Sequence, residues 1–140
     1  MKQWRRPKEM PSFTKKFDTP AGEFYLTLCY DGSRLREVHG IIGNAGTFAS
    51  KQIEKDCRFV SILLQSPYSI KKICAKIKQN FFDINWEYPF EYENKKYTGL
   101  EDCLFKTSVS ELRTKKLYKK HMVKNEEPKI ALPETPQEKT

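Results

Sequence analysis

Gly22–Ser66, GEFYLTLCYDGSRLREVHGIIGNAGTFASKQIEKDCRFVSILLQS, reads as strand, tight turn, strand, glycine loop and long helix. Glu23–Tyr30 alternates. Phe24, Leu26, Leu28 and Tyr30 fall on one face and Glu23, Tyr25, Thr27 and Cys29 on the other, the period of a half-buried strand. Asp31-Gly32 supplies a hairpin turn, because glycine reaches positive φ without a Cβ clash. Arg34–Ile42 returns as a second strand, and Gly43-Asn44-Ala45-Gly46 interrupts it. Thr47 or Ser50 is placed to cap a helix that ends at Ser66-Pro67. Ala49, Ile53, Cys57, Val60 and Leu64, spaced four, four, three and four apart, give that helix one buried stripe.

Upstream, Phe13–Thr19 is expected to add a first strand, ended by Pro20-Ala21-Gly22. Residues 1–11 carry no periodicity and contain Pro7 and Pro11, so they are expected to form a flexible basic arm. Downstream, Ser69 is a good N-cap for a second helix, Ile70 to about Gln79, with Ile70, Ile73, Cys74 and Ile77 on one face. In Trp86–Glu93, four aromatics alternate with Glu87, Pro89, Glu91 and Glu93. Proline confines such a strand to an edge. Asn94-Lys95-Lys96 turns the chain, and a third helix is expected over roughly Asp102–His121, with Leu104, Phe105, Val109 and Leu112 inward. From Lys124 on, three prolines and several glutamates mark a disordered tail.

The expected architecture is α+β: a small antiparallel sheet of three or more strands packed against two to three helices. The domain division is 1–11 arm, 12–123 folded domain and 124–140 tail.

With 140 residues, 38% hydrophobic and 31% charged, the chain suits one domain with a wet surface. No apolar run nears the ~20 residues of a bilayer span, and the basic N-terminus lacks the apolar segment of a secretory signal. No membrane association and a cytoplasmic location are therefore expected. The net charge of +8 is uneven. Residues 1–16 hold six Lys/Arg, and Arg113–Lys124 holds six with no acid, whereas Phe82–Asp102 holds six carboxylates against Lys95 and Lys96.

Four cysteines, no Cys-x-x-Cys and only His39 and His121 give no zinc-ligand spacing, so no metal and no cofactor are expected. Cys57 and Cys74 sit on apolar stripes as small hydrophobes. By spacing, His39 has neither an acidic nor a serine partner, and no catalytic residue is assigned.

Three candidate binding surfaces remain. Gly43, Asn44, Gly46, Thr47 and Lys51 could direct backbone N–H groups at an anion or nucleotide, although a simple strand-to-helix turn explains the same residues. Arg5, Arg6, Lys71, Lys72, Arg113, Lys115, Lys116, Lys119 and Lys120 are candidates for nucleic-acid binding, against a plain solvated surface. Trp86, Tyr88, Phe90 and Tyr92 are candidates for docking a protein partner. Their interleaved carboxylates would repel a phosphate backbone. Exposed strand edges also permit self-association into a homo-oligomer.

Glu37-Val38-His39-Gly40-Ile41-Ile42-Gly43-Asn44-Ala45-Gly46, with the hairpin before it and the helix after it, resembles the TSCPD domain. That small α+β domain is found near the C-terminus of vitamin B12-dependent (class II) ribonucleotide reductases and in short standalone proteins. Phe59-Val60-Ser61-Ile62-Leu63-Leu64 and Ser69-Ile70-Lys71-Lys72-Ile73 stand where that family places its helical continuation, and the resemblance covers roughly residues 12–80. The Thr-Ser-Cys-Pro-Asp run that names the family is replaced by Gly99-Leu100-Glu101-Asp102-Cys103-Leu104, so chemistry tied to that run does not carry over. The reductase's catalytic barrel and cobalamin residues are absent. The resemblance implies a non-catalytic accessory module, of the kind a virus or mobile element carries, docking on a nucleotide-metabolism enzyme or a host factor. The alternative is a nucleic-acid- or nucleotide-binding protein.

Overall fold

The computed structural model describes residues 4–43, 48–81 and 89–122. The fold is α+β. Strands β1 (Ser12–Thr19), β2 (Gly22–Asp31) and β3 (Arg34–Ile42) form an antiparallel sheet in the order β1-β2-β3. Helices α1 (Phe48–Leu64), α2 (Ile70–Phe81) and α3 (Leu100–Thr114) follow, with a two-stranded hairpin, β4 (Phe90–Tyr92) and β5 (Lys95–Tyr97), before α3. Residues 116–122 form a further helix, α4. No described helix is long and apolar enough to cross a membrane.

The alternation in β2 has its expected consequence: Phe24, Leu26, Leu28 and Tyr30 are fully buried. β3 does not continue the simple alternation. Leu28 pairs with Val38 and Cys29 with Glu37, but Tyr30 pairs with Leu35, so Arg36 is the extra residue of a bulge. Val38, Gly40 and Ile42 face inward on one side of the bulge, and Leu35 faces inward on the other. Without that phase change Arg36, not Leu35, would point into the core.

The inner face packs on Ile53, Cys57, Val60 and Leu64, the expected stripe of α1, with Ile73 and Ile77 of α2 and Cys103, Leu104 and Leu112 of α3 behind. Gly40 lets α1 come close. A Cβ there would stand 2.9 Å from both the Cys57 Sγ and the Phe24 Cε1. One turn along the helix from Cys57, the Ser61 hydroxyl accepts from the Val38 N–H at 3.0 Å and donates to its carbonyl at 3.1 Å. Gln65 Nε2 adds a bond to the Arg36 carbonyl at 3.3 Å. The outer edge of β3 is thus covered at Arg36 and Val38 by side chains of α1 and of Gln65 just after it.

Ser69 caps α2 as expected, its Oγ accepting from the Lys72 N–H at 3.2 Å. The expected single helix over 102–121 is instead two. Lys115 adopts a left-handed conformation (φ 55°, ψ 29°) and closes α3, its N–H bonding the Glu111 carbonyl. Buried Glu111 organises the corner. Its carboxylate accepts the Tyr30 hydroxyl at 2.6 Å and the Leu117 N–H, in the first turn of α4, at 3.1 Å. Satisfying an orphan N–H with a carboxylate favours a helix start. Burial, with Glu111 beside it, pushes the Tyr30 hydroxyl well above its ordinary range, so it stays a donor.

Candidate functional site

The edge of β1, the β4–β5 hairpin and helices α3 and α4 enclose a groove of about 890 Å³. Seven lysines line it against Glu93 and Glu111, an excess of five positive charges: Lys15 and Lys16 from β1, Lys95 and Lys96 from β5, Lys106 from α3, and Lys116 and Lys120 from α4.

Three of these lysines are neutralised in place. Lys15 Nζ lies 3.0 Å from the Glu93 carboxylate, Lys16 Nζ 2.9 Å from Glu23, and Lys106 Nζ 3.0 Å from Asp102. Lys106 also donates to the Lys96 carbonyl at 3.3 Å, which holds the hairpin against α3. Among the described residues, Lys95, Lys96, Lys116 and Lys120 have no carboxylate partner, so their charge is directed at solvent in the groove.

The hairpin that presents Lys95 and Lys96 is set by Glu93 and Asn94, both at positive φ (50° and 66°), the backbone of a two-residue primed turn. The aromatic residues of the groove are largely engaged. Tyr97 is 6% exposed and packs on Phe90, and its hydroxyl is pushed up to about 12, chiefly by burial. His121 stacks flat on Phe13 at 4.2 Å, and Tyr92 packs on Phe17 at 5.1 Å. The groove therefore offers cations more than ring faces.

The structure divides the basic residues expected to act together. Lys116 and Lys120 line the groove. Lys115 instead bonds the Ser33 hydroxyl at 3.1 Å, and Lys119 and Arg113 are exposed outside it. Lys71 and Lys72 lie on α2, where Lys72 and Lys76 sit over the Tyr68 ring at 4.5 and 5.1 Å. Arg5 is exposed, and Arg6 is bound to Glu37. Lys15, Lys16, Lys95, Lys96 and Lys106 were not singled out by sequence, because they lie on three separate segments that no spacing along the chain links. Their signal is the fold that brings four segments to one place.

Of the glycine-loop candidates, Asn44, Gly46 and Thr47 lie outside the described residues; Gly43 donates its N–H to the Glu23 carbonyl at 2.8 Å, and Lys51 is exposed on α1. Trp86 and Tyr88 also lie outside the described residues, whereas Phe90 and Tyr92 are half-buried against the core.

On the outer face of the sheet, Cys29, Glu37 and His39 bring one ligand atom each within 4.8 Å of one another. His39 does have an acidic neighbour: its Nε2 is 3.3 Å from Glu37 Oε1, since residues two apart on a strand share a face. Segment 4–11 crosses this face, with Arg6 Nε 2.8 Å from Glu37 Oε2, Trp4 Nε1 2.7 Å from Asp31 and the Pro11 carbonyl accepting the Tyr30 N–H. Elsewhere the thiols are quiet: burial pushes Cys57 and Cys103 up to about 12.

A model of the TSCPD domain family matches residues 2–110, which include the segment expected to be an arm. No curated protein and no solved structure matches the chain.

Proposed function

The chain belongs to the TSCPD domain family, and on that premise we propose that it is a non-catalytic accessory module, of the kind associated with ribonucleotide reductase, whose basic groove holds the phosphate backbone of a single-stranded nucleic acid. The observation that carries the reading is the set of seven groove lysines, four of them without a carboxylate partner among the described residues. Phosphate neutralisation by lysine releases condensed counterions, so binding of this type is strong at low salt and indifferent to sequence. Rings already packed on Phe13, Phe17 and Phe90 leave little for base stacking, which favours backbone tracking over base readout.

The test is fluorescence anisotropy of a labelled oligothymidylate across salt concentrations. If the four unpaired lysines each neutralise one phosphate, log affinity falls with log salt at a slope of about −2.8, roughly fifty-fold between 50 and 200 mM. Lys96→Glu with Lys116→Glu should remove most of the affinity. A slope near zero, or unchanged affinity in the double variant, refutes the assignment. Binding of single nucleotides as tight as the oligomer would replace nucleic acid with nucleotide as the ligand.

A second reading, docking on a protein such as a nucleotide-metabolism enzyme, is favoured by a different observation. Phe48, Phe59 and Ile62 are 83%, 36% and 67% exposed, and spacings of eleven and three put them on one stripe of α1 opposite its buried side. Ile62→Glu with Phe48→Glu should abolish capture of such a partner and leave oligonucleotide binding intact. Retained capture sinks the docking role of this stripe.

A further inference from the structure

We propose that Cys29, Glu37 and His39 form a binding site for a borderline-soft divalent cation of the Zn²⁺ type, and that Arg6 is the counter-ion that occupies the site's charge in the metal's place. The three side chains come from neighbouring strands in register. Cys29 of β2 pairs directly with Glu37 of β3, and His39 lies two residues further along the same face. Their ligand atoms are within 4.8 Å of one another. A tetrahedral ion with metal–ligand distances of about 2.0–2.3 Å has ligand–ligand edges of roughly 3.3–3.8 Å. The His39 Nε2 to Glu37 Oε1 separation, 3.3 Å, already matches such an edge. The Cys29 thiol, within 4.8 Å of the other two ligand atoms, has to close on that pair, and His39 has the room to follow, its side chain being 60% exposed.

The donor set selects the ion. A thiolate and an imidazole favour Zn²⁺ and its neighbours over Mg²⁺ or Ca²⁺, which prefer all-oxygen shells. Three protein ligands leave a fourth position, and it opens on the solvent side where His39 stands.

The charge balance also closes. In the metal-free protein the Arg6 guanidinium, 2.8 Å from Glu37 Oε2, neutralises the carboxylate, and the Cys29 thiol carries its proton as an ordinary cysteine does near neutral pH. Binding of M²⁺ forms metal–sulfur, metal–oxygen and metal–nitrogen bonds, releases the Cys29 proton to solvent and frees Arg6. Two positive charges leave the site as one doubly charged ion enters. Displacement is cheap, because the Arg6 side chain is 54% exposed. Metal binding thereby removes one of the contacts that hold segment 4–11 on the sheet and leaves those of Trp4 with Asp31 and of Pro11 with Tyr30.

The experiment is titration of the full chain with Co²⁺, followed by near-ultraviolet absorption, with Zn²⁺ competition. One equivalent should produce a thiolate-to-cobalt charge-transfer band that Zn²⁺ abolishes. Cys29→Ser and His39→Ala should each lose the band while circular dichroism stays unchanged. Arg6→Ala should tighten binding, by about fivefold at most, the strength of a half-exposed ion pair. No band in the wild-type chain, or a band that persists in Cys29→Ser, overturns the site. Tight binding unaffected by Arg6→Ala overturns the counter-ion role.

Discussion

Gly40→Ala tests how the sheet and α1 are fitted together. The added Cβ would lie 2.9 Å from the Cys57 Sγ and 2.9 Å from the Phe24 Cε1, both in side chains that are buried and held on all sides. Neither atom is the end of a flexible chain, so helix and strand must separate. Overpacking of this size costs about 1–3 kcal/mol, and the smaller backbone entropy of alanine in the unfolded chain returns about 0.4–1 kcal/mol. The net expectation is a loss of about 1–2 kcal/mol, roughly 4–8 °C in Tm for a domain of this size. Cys57→Ala, which removes one of the two obstructing atoms, should destabilise on its own by opening space in the core. Combined with Gly40→Ala it should cost less than the sum of the two, a coupling of about 0.5 kcal/mol or more. Thermal and urea unfolding of the four proteins measure the cycle. Additive losses, or a Gly40→Ala protein as stable as wild type, would show that the contact between β3 and α1 is not close-packed as described.

Asp56, whose Oδ2 is buried with no hydrogen-bond partner among the described residues, is pushed up from 3.8 to about 7 by burial and then by Glu101 beside it. A carboxyl whose folded value is raised loses stability as pH climbs from its unfolded value through its folded one. The wild type should therefore weaken between about pH 4 and pH 7 relative to Asp56→Asn, with Tm differences largest at pH 8 and absent at pH 4; a pH-independent difference is the contrary result. Tyr30→Phe removes the 2.6 Å bond to Glu111 and should cost about 1.5–3 kcal/mol in urea unfolding, while lowering oligonucleotide affinity although Tyr30 does not line the groove. Lys115→Gly relieves the left-handed backbone at φ 55° and should raise stability by up to about 1 kcal/mol, with groove affinity retained.

What could be read from the sequence was whatever repeats along a single element. The alternation of β2 and the stripe Ile53, Cys57, Val60, Leu64 needed only the periods of strand and helix, and both stand in the core as expected. The bulge at Arg36 was not legible, because a phase change of one residue leaves no mark in a strand where Leu35, Val38 and Ile42 are all apolar. The break at Lys115 was hidden for another reason. Arg113-Thr114-Lys115-Lys116 contains neither glycine nor proline, and the left-handed turn is held from outside by Glu111, a residue that reads as an ordinary polar position of a helix. The groove and the Cys29, Glu37, His39 cluster are tertiary assemblies. The spacing rules for zinc ligands look along the chain, whereas these three residues meet across a strand pair.

The family match and the groove do not end at the same place, and the difference says where the chain's own character lies. The match runs to residue 110, which takes in the sheet, the first two helices, the hairpin and most of α3, and with them Lys15, Lys16, Lys95, Lys96 and Lys106. Lys116, Lys120 and His121, which form the remaining wall, lie beyond it. Of the five lysines inside the match, three are neutralised by nearby carboxylates, whereas both lysines beyond it are unpaired among the described residues. The matched part of this chain therefore carries a mildly basic trough, and α4, beyond the match, adds two unpaired lysines as a further wall. The joint between the two parts is made by the buried carboxylate of Glu111, one residue past the match, which takes the Tyr30 hydroxyl from the sheet and the Leu117 N–H from α4, together with the ring contacts of Tyr118 with Tyr30 and of His121 with Phe13. Because Tyr30 is tied to the lysine-bearing helix both by its hydroxyl, through Glu111, and by its ring, against Tyr118, the electrostatics of the groove depend on the packing of Tyr30, and a change in the core is transmitted to the binding surface.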